Sequence, residues 1–158
     1  KYLKIIRQQR NHGQANRFKV NMVGWNARMD SIQAEILLNK LPVLDKHNTR
    51  RRAIATQYNG NLHKDIEIPV QNTNSIHVYH QYVIKHKNVD AIGKTLLSKG
   101  IQSRRYYPTS LHKTLTYKDK GSYPNAEYCS SKALAIPVHQ YLTDKEVSSI
   151  IEAVKEAI

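Results

Sequence analysis

Gly24-Trp25-Asn26-Ala27-Arg28-Met29-Asp30-Ser31-Ile32-Gln33-Ala34 places a glycine turn, an amide, an arginine and a helix start side by side. A helix N-terminus carries unpaired backbone N–H groups and a partial positive charge, which together make an anion site. Asn26 and Arg28 bring side-chain donors to the same place, so a phosphate or a carboxylate would be well served there. A turn followed by a capped, half-buried helix, with Arg28 in water or on a carboxylate, accounts for the same residues without any ligand.

Around this stretch lies a chain of 158 residues, enough for one modest core. Hydrophobic residues at 40% and charged residues at 23% are ordinary for a globular protein and argue against disorder. No apolar run approaches a membrane span, and no basic-then-apolar leader is visible. Cys129 is the single cysteine, so no intrachain disulfide can form, and a reducing cytoplasm is the natural expectation. The apolar pattern opens at Tyr2 and Leu3 with no preceding cap, as if the chain started inside a helix. Its net charge of +13 is high for the length and raises nucleic acid as a partner. Arg50-Arg51-Arg52 is the obvious patch, yet successive helical residues point in different directions and make no stripe. With no zinc-finger spacing, RNA-binding aromatic motif or basic zipper beside it, a solvated helix face is the simpler reading.

Helical periodicity covers residues 1–10, ahead of a stop at Gly13, with Leu3, Ile6 and Tyr2 inward. It resumes through Met29, Ile32, Ile36, Leu37, Leu41 and Leu44, with Asp30 and Gln33 as a capping box and Pro42 as a break. A further helix runs through Ile54, Ala55, Tyr58 and Leu62. Alternation predicts a strand over 76–85. Asn88 is placed to cap a helix that buries Val89, Ile92, Leu96 and Leu97 and stops at Gly100. A strand over 101–107, a loop to Tyr123, a helix over 125–134 and a short strand over 135–138 complete the middle. Thr143 and Glu146 form a capping box, with Leu142 stapled to Val147. Val147, Ile150, Ile151, Val154 and Ile158 make the last helix's inward stripe. The order from residue 64 onward implies a small sheet covered by helices, an α/β arrangement, while residues 1–63 read as helices without a sheet of their own.

Catalytic chemistry is not visible in the side chains. His77 and His80 fall on opposite faces of the predicted strand. His12, His112 and His139 stand alone, and Cys129 has no partner at ligand spacing, so no metal site is expected. Cys129 reads as a buried or half-buried structural thiol. The six glycines are scattered singly, which excludes a glycine-rich phosphate loop.

Four separated motifs carry a resemblance: Asn11-His12-Gly13; Gly24-x-Asn26-x-Arg28-Met29-Asp30-x-x-Gln33-Ala34; Tyr107-Pro108-x-x-Leu111-His112; and Ala135-Ile136-Pro137-Val138-His139. In this order and spacing the chain resembles the C-terminal part of a DegT/DnrJ-type sugar aminotransferase, of the type I pyridoxal-phosphate fold. That resemblance implies residues 1–63 as a remnant of the large cofactor-binding domain with its linking helices, and residues 64–158 as the small C-terminal domain. It implies pyridoxal 5'-phosphate as cofactor, a nucleotide-sugar and an amino donor as substrates, and a homodimer. The Schiff-base lysine of such enzymes lies upstream of the Asn11-His12-Gly13 motif, so no catalytic residue is assigned in this chain, which is expected to be inactive alone. Asn26 matches the asparagine that reaches across the dimer to the phosphate of the neighbouring subunit's cofactor. Arg28 matches an arginine near the substrate. Tyr107 matches a tyrosine of the sugar-nucleotide site, and Tyr106 stands where many relatives carry histidine. Arg104 and Arg105 are further candidates for charge opposite a diphosphate. A non-catalytic or regulatory relative of the same fold, and a basic nucleic-acid-binding module, are the alternatives.

Overall fold

The computed structural model describes residues 2–119 and 121–158. Lys1, at the head of the predicted first helix, and Lys120, within the predicted loop to Tyr123, lie outside the described residues. The chain divides into two compact units, Lys1–Leu44 and Asp45–Ile158. The division falls earlier than the 63/64 boundary expected from sequence, because Ile54, Ala55 and Tyr58 are buried in the second unit's core.

The first unit contains α1 (Tyr2–Gln9), a small antiparallel ladder of β1 (Gln14–Asn16) and β2 (Lys19–Val20), and α2 (Ser31–Lys40). Backbone bonds lock the end of α1 to the stretch before α2. His12 N–H donates to the Trp25 carbonyl at 2.8 Å, Trp25 N–H to Gln9 at 2.8 Å, and Ala27 N–H to Arg10 at 2.9 Å. Asn11 and Asn26 form an isolated antiparallel bridge. Gly13 has φ +72°, and a Cβ there would stand 1.7 Å from the Met22 carbonyl oxygen. A Cβ on Gly24 would stand 2.1 Å from the Gly13 nitrogen. Only glycine permits so close a backbone approach.

Apolar residues in this unit follow the predicted helical period but are not covered. Tyr2, Leu3 and Ile6, expected inward, are exposed, and so are Met29, Ile32, Ile36, Leu37, Leu41 and Leu44. Among the described residues of this unit no apolar side chain is buried. The helices are held by local bonds and the loop clamp rather than by a core. Asp30 caps α2 by accepting from Ile32 N–H at 2.8 Å, so only the Asp30 half of the expected capping box forms. Pro42 breaks the helical path as expected, giving a 3-10 turn over Leu41–Val43 before α3 (Leu44–Asn61).

The second unit is built on β3 (Tyr82–Lys85) paired antiparallel with β4 (Ala133–Ile136), in the register Tyr82↔Ile136 to Lys85↔Ala133. Isolated bridges extend the sheet on both sides, Glu67 beside Lys85 and Arg104 beside Ala135. Three helices, α4 (Val89–Ser98), α5 (Pro124–Lys132) and α6 (Asp144–Glu156), complete the unit. The expected α/β arrangement, a small sheet covered by helices, is what this unit forms. Tyr58, Tyr82, Ile84, Ile92, Leu96, Val147 and Val154 lie fully inside. Tyr58 donates its hydroxyl to the Pro137 carbonyl at 2.7 Å, and Tyr82 donates to Asn59 Oδ1 at 2.6 Å. Burial pushes both phenols well above the ordinary tyrosine range.

Local departures have local causes. The predicted strand over 76–85 is paired only from Tyr82, because Tyr79 takes a left-handed φ of +47°, its N–H held by His77 Nδ1 at 2.8 Å. His77 and His80 therefore lie on a bent loop rather than on the faces of a strand. The segment 101–107 makes only the Arg104 bridge. The helix predicted over 125–134 ends at Lys132, and β4 starts two residues before the expected Ala135. Asn88 gives no side-chain cap to α4. Gly100, at φ +73°, ends α4 in a Schellman motif, with Gly100 N–H on Leu97 and Ile101 N–H on Leu96. Leu96 is buried but Leu97 is 70% exposed, so Leu97 leaves the predicted inward line. The Thr143–Glu146 capping box forms as read, with Leu142 and Val147 buried beside it. Ile158, placed in the inward stripe, lies beyond the end of α6 and is exposed. Arg50 and Arg51 are half-buried anchors, not a solvated face. Arg50 holds the Leu142 carbonyl and Asp144, while Arg51 reaches the carbonyls of Tyr79, His80 and Val138 and the Gln140 side chain.

Two outcomes check this arrangement. Leu96→Ala should cost about 2–5 kcal/mol of stability while Leu97→Ala stays within about 0.5 kcal/mol, read as urea midpoints by circular dichroism; equal losses would put α4 in another register. Gly24→Ala should speed hydrogen exchange at the amides of His12, Trp25 and Ala27 without changing exchange at Ile84. Unchanged protection at His12 and Trp25 would show that the clamp accommodates a methyl group.

Candidate functional site

In the first unit the clamped loop presents Asn26 and Arg28 to solvent. Arg28 Nε donates to Asn26 Oδ1 at 3.1 Å, and both side chains are exposed. With its oxygen occupied, the amide turns its Nδ2 hydrogens outward, and Nδ2 has no partner among the described residues. The guanidinium Nη atoms are likewise open. Residues 1–44 carry eight Lys and Arg against Asp30 and Glu35 alone, so an anion meets a favourable field as well as these donors. At the helix start the Asp30 carboxylate already takes the Ile32 N–H and adds its own negative charge, which disfavours a second anion there. The donors left for an anion are side chains.

In the second unit Tyr106 and Tyr107 sit on the segment that borders β4. Arg104 fixes that segment through paired bonds with Ala135, at 3.0 and 2.8 Å. Arg105 fixes it from the side, with Nη1 on Asp90 at 2.8 Å and Nη2 on the carbonyls of Ser130 and Ser131. Those carbonyls end α5, where a cation is favourable. The Arg105 Nε is buried without a partner. Arg105 is thus a structural clamp, with three of its N–H groups committed to Asp90 and the end of α5. Arg104 lies 5.9 Å from the Tyr106 ring centroid. The two tyrosine rings meet edge to face, centroids 5.8 Å apart. Tyr107 is 76% exposed, while Tyr106 is half covered and lines an open groove of about 1600 Å3 shared with Leu97, Arg104, His139 and Ser149.

The loop after Tyr107 is tied down by contacts that no local pattern announced. Ser110, buried, meets Ser130 Oγ at 2.8 Å. His112 Nε2 and Lys113 Nζ share the Glu127 carboxylate at 3.2 and 2.6 Å. The Lys113 bond holds that carboxyl below its usual range, with His112 adding to the effect. Partners 14 to 20 residues apart leave no periodic signal. A second cluster joins Lys85 to Glu67 at 2.8 Å, and Tyr128 also donates to Glu67. The Glu67 carboxyl is lowered chiefly by its bond to Lys85. Cys129, read as a buried or half-buried thiol, is exposed. No group of three or more metal-ligating side chains occurs among the described residues, and none of their helices is long and apolar enough to cross a membrane.

Comparison with known proteins gives these motifs a common context. The model of the DegT/DnrJ/EryC1/StrS aminotransferase family matches residues 1–155. A dTDP-3-amino-3,6-dideoxy-alpha-D-galactopyranose transaminase of Aneurinibacillus thermoaerophilus is 32% identical, over 92% of this chain and 41% of the relative. A UDP-2-acetamido-2-deoxy-3-oxo-D-glucuronate aminotransferase of Pseudomonas aeruginosa is 31% identical, over 94% and 42%. The crystal structure of S. venezuelae DesV in complex with a ketimine intermediate superposes with a TM-score of 0.91 at 29% identity, over 98% of this chain and 43% of that one. The chain thus spans about two fifths of the length of the relatives it matches. Proteins of that family use pyridoxal 5'-phosphate. The outward amide of Asn26 and the open guanidinium of Arg28 are donor-only groups in a basic surface, which fits a dianionic phosphate. With a family model matching almost end to end and a fold shared with a solved member, this chain belongs to the DegT/DnrJ/EryC1/StrS aminotransferase family.

Proposed function

We propose that this chain is the carboxyl-side part of an aminotransferase that moves an amino group, from a donor such as glutamate, onto a keto nucleotide-sugar for amino-sugar or polysaccharide synthesis in the cytoplasm. The observation that carries this reading is the Asn26–Arg28 donor pair, held on a glycine-clamped loop in a unit with no buried apolar side chain among its described residues. Large apolar side chains left in water mark a surface that another polypeptide covers. Relatives are more than twice as long as the matched region, so the rest of such a chain is one cover, and a second subunit is the other in this proposal.

In that assembly the first unit completes a large cofactor-binding domain, the second forms the small domain, and Asn26 grips the phosphate of the partner subunit's cofactor. Bound pyridoxal phosphate supplies the electron sink for carbanion chemistry. This chain's own residues bind and orient. The Asn26 N–H gives a charge-assisted bond to the phosphate. The Arg28 Nη atoms face an acidic group of the substrate, where a guanidinium fork suits a carboxylate or a diphosphate. Tyr106 and Tyr107 form a wall on which a sugar packs, each with one hydroxyl to donate. The residue that forms the covalent bond to the cofactor belongs outside this chain, so residues 1–158 alone are expected to be inactive.

The experiment is to express the longer protein, load it with pyridoxal phosphate, and follow amino transfer from glutamate to keto nucleotide-sugars by mass spectrometry. Asn26→Ala should weaken cofactor binding by roughly tenfold or more, the loss of one hydrogen bond to a charged group. Tyr107→Phe should raise KM for the sugar by roughly tenfold and leave cofactor affinity unchanged. Failure of the longer protein to take up the cofactor would overturn the proposal.

A further inference from the structure

The Asn26 amide has two faces of opposite polarity, and only one of them suits an anion. Its Nδ2 hydrogens attract phosphate, while its Oδ1 repels it. Rotation of the amide by half a turn exchanges the two. Arg28 removes that freedom. A guanidinium carries donors and no acceptor and stays charged at any working pH, so its Nε–H can meet only the oxygen side of the amide. The 3.1 Å bond from Arg28 Nε to Asn26 Oδ1 therefore sets the orientation of the amide. The two residues are two apart on a stretch whose backbone is pinned at the Asn11–Asn26 bridge and at Ala27 N–H. The amide's position and its orientation thus have separate determinants.

We infer that Arg28 is a positioning residue for the phosphate grip, presenting Asn26 with its N–H groups outward before the ligand arrives. This inference rests on the proposal that Asn26 holds the cofactor phosphate. It adds a role to Arg28 that its Nη atoms, turned to substrate, leave untouched. Preorganisation of this kind raises affinity because the free site has no wrong orientation to abandon.

The chemistry of the side chain offers a direct test. Lysine, like arginine, carries donors and no acceptor, so Arg28→Lys keeps a charged group that can meet only the oxygen side of the amide. Arg28→Met keeps the length and discards both charge and donors. In the full-length apoenzyme, titrated spectroscopically with pyridoxal phosphate and in parallel with unphosphorylated pyridoxal, Arg28→Met should weaken pyridoxal phosphate by roughly tenfold and leave pyridoxal unchanged. Arg28→Lys should restore pyridoxal phosphate affinity to within about threefold of the native protein, even though its KM for the sugar rises. In the Asn26→Ala background, Arg28→Met should cause no further loss, as expected for a residue acting through another.

Equal losses in Arg28→Lys and Arg28→Met would show that a donor-only side chain at this position does not orient the amide, and would overturn the inference. So would a loss shared by pyridoxal, or an undiminished Arg28→Met effect in the Asn26→Ala background. If Asn26→Ala itself leaves pyridoxal phosphate affinity unchanged, the underlying phosphate assignment fails and this inference with it. If Asn26→Ala weakens binding and Arg28→Met does not, the assignment stands and this inference alone falls.

Discussion

The contact of Gly13 with Gly24 is the constraint on which the binding loop depends. Two backbones pass so closely that a methyl group on either would overlap the other's neighbourhood, at 1.7 Å from the Met22 oxygen or 2.1 Å from the Gly13 nitrogen. That approach lets three backbone N–H groups cross from one stretch to the other and hold residues 25–27 against the end of α1. Asn26 then projects from a fixed backbone in a unit with no core of its own. Rigid display normally needs packed side chains; here a ladder of main-chain bonds substitutes for packing.

The second unit is organised on the opposite principle. Its core is continuous, with aromatic, β-branched and leucine side chains from the sheet and from α3, α4 and α6 meeting around Tyr58 and Tyr82. Buried polar groups are spent on joining elements. Tyr58 reaches the Pro137 carbonyl, Arg51 gathers carbonyls from two separate loops, and Arg105 closes the end of α5. Tyr106 and Tyr107 follow Arg105 directly, so their placement is inherited from a salt bridge and two carbonyl bonds. One unit carries a binding pair that waits for cover, and the other a pair of phenols seated on a finished fold.

Much of this was legible from periodicity and from local chemistry. The Thr143–Glu146 box, the Gly100 stop, the Pro42 break and the buried faces of α4 and α6 rest on interactions among residues three or four apart, which sequence displays directly. The family motifs pointed to Asn26, Arg28, Tyr106 and Tyr107 as a set. Burial was harder to read. Leu97, Ile158 and the whole stripe from Met29 to Leu44 carry the right period and stay exposed. A hydrophobic face states that something covers it without saying what.

By itself, then, the sequence determined most of the helical segments, the breaks at Pro42 and Gly100, the small sheet covered by helices, and the family to which these motifs belong. Tertiary structure alone decided what the polar groups do. It turned Arg50 and Arg51 from apparent surface charge into anchors, tied Arg105 to Asp90 and the end of α5, and set the Asp30 carboxylate on the start of α2. It also set the Asn26 amide by a bond from Arg28. The physical reason is range. Caps and periodic faces are settled within a turn or two of chain, whereas a guanidinium or an amide takes its partner from whatever the completed fold brings within about 3 Å.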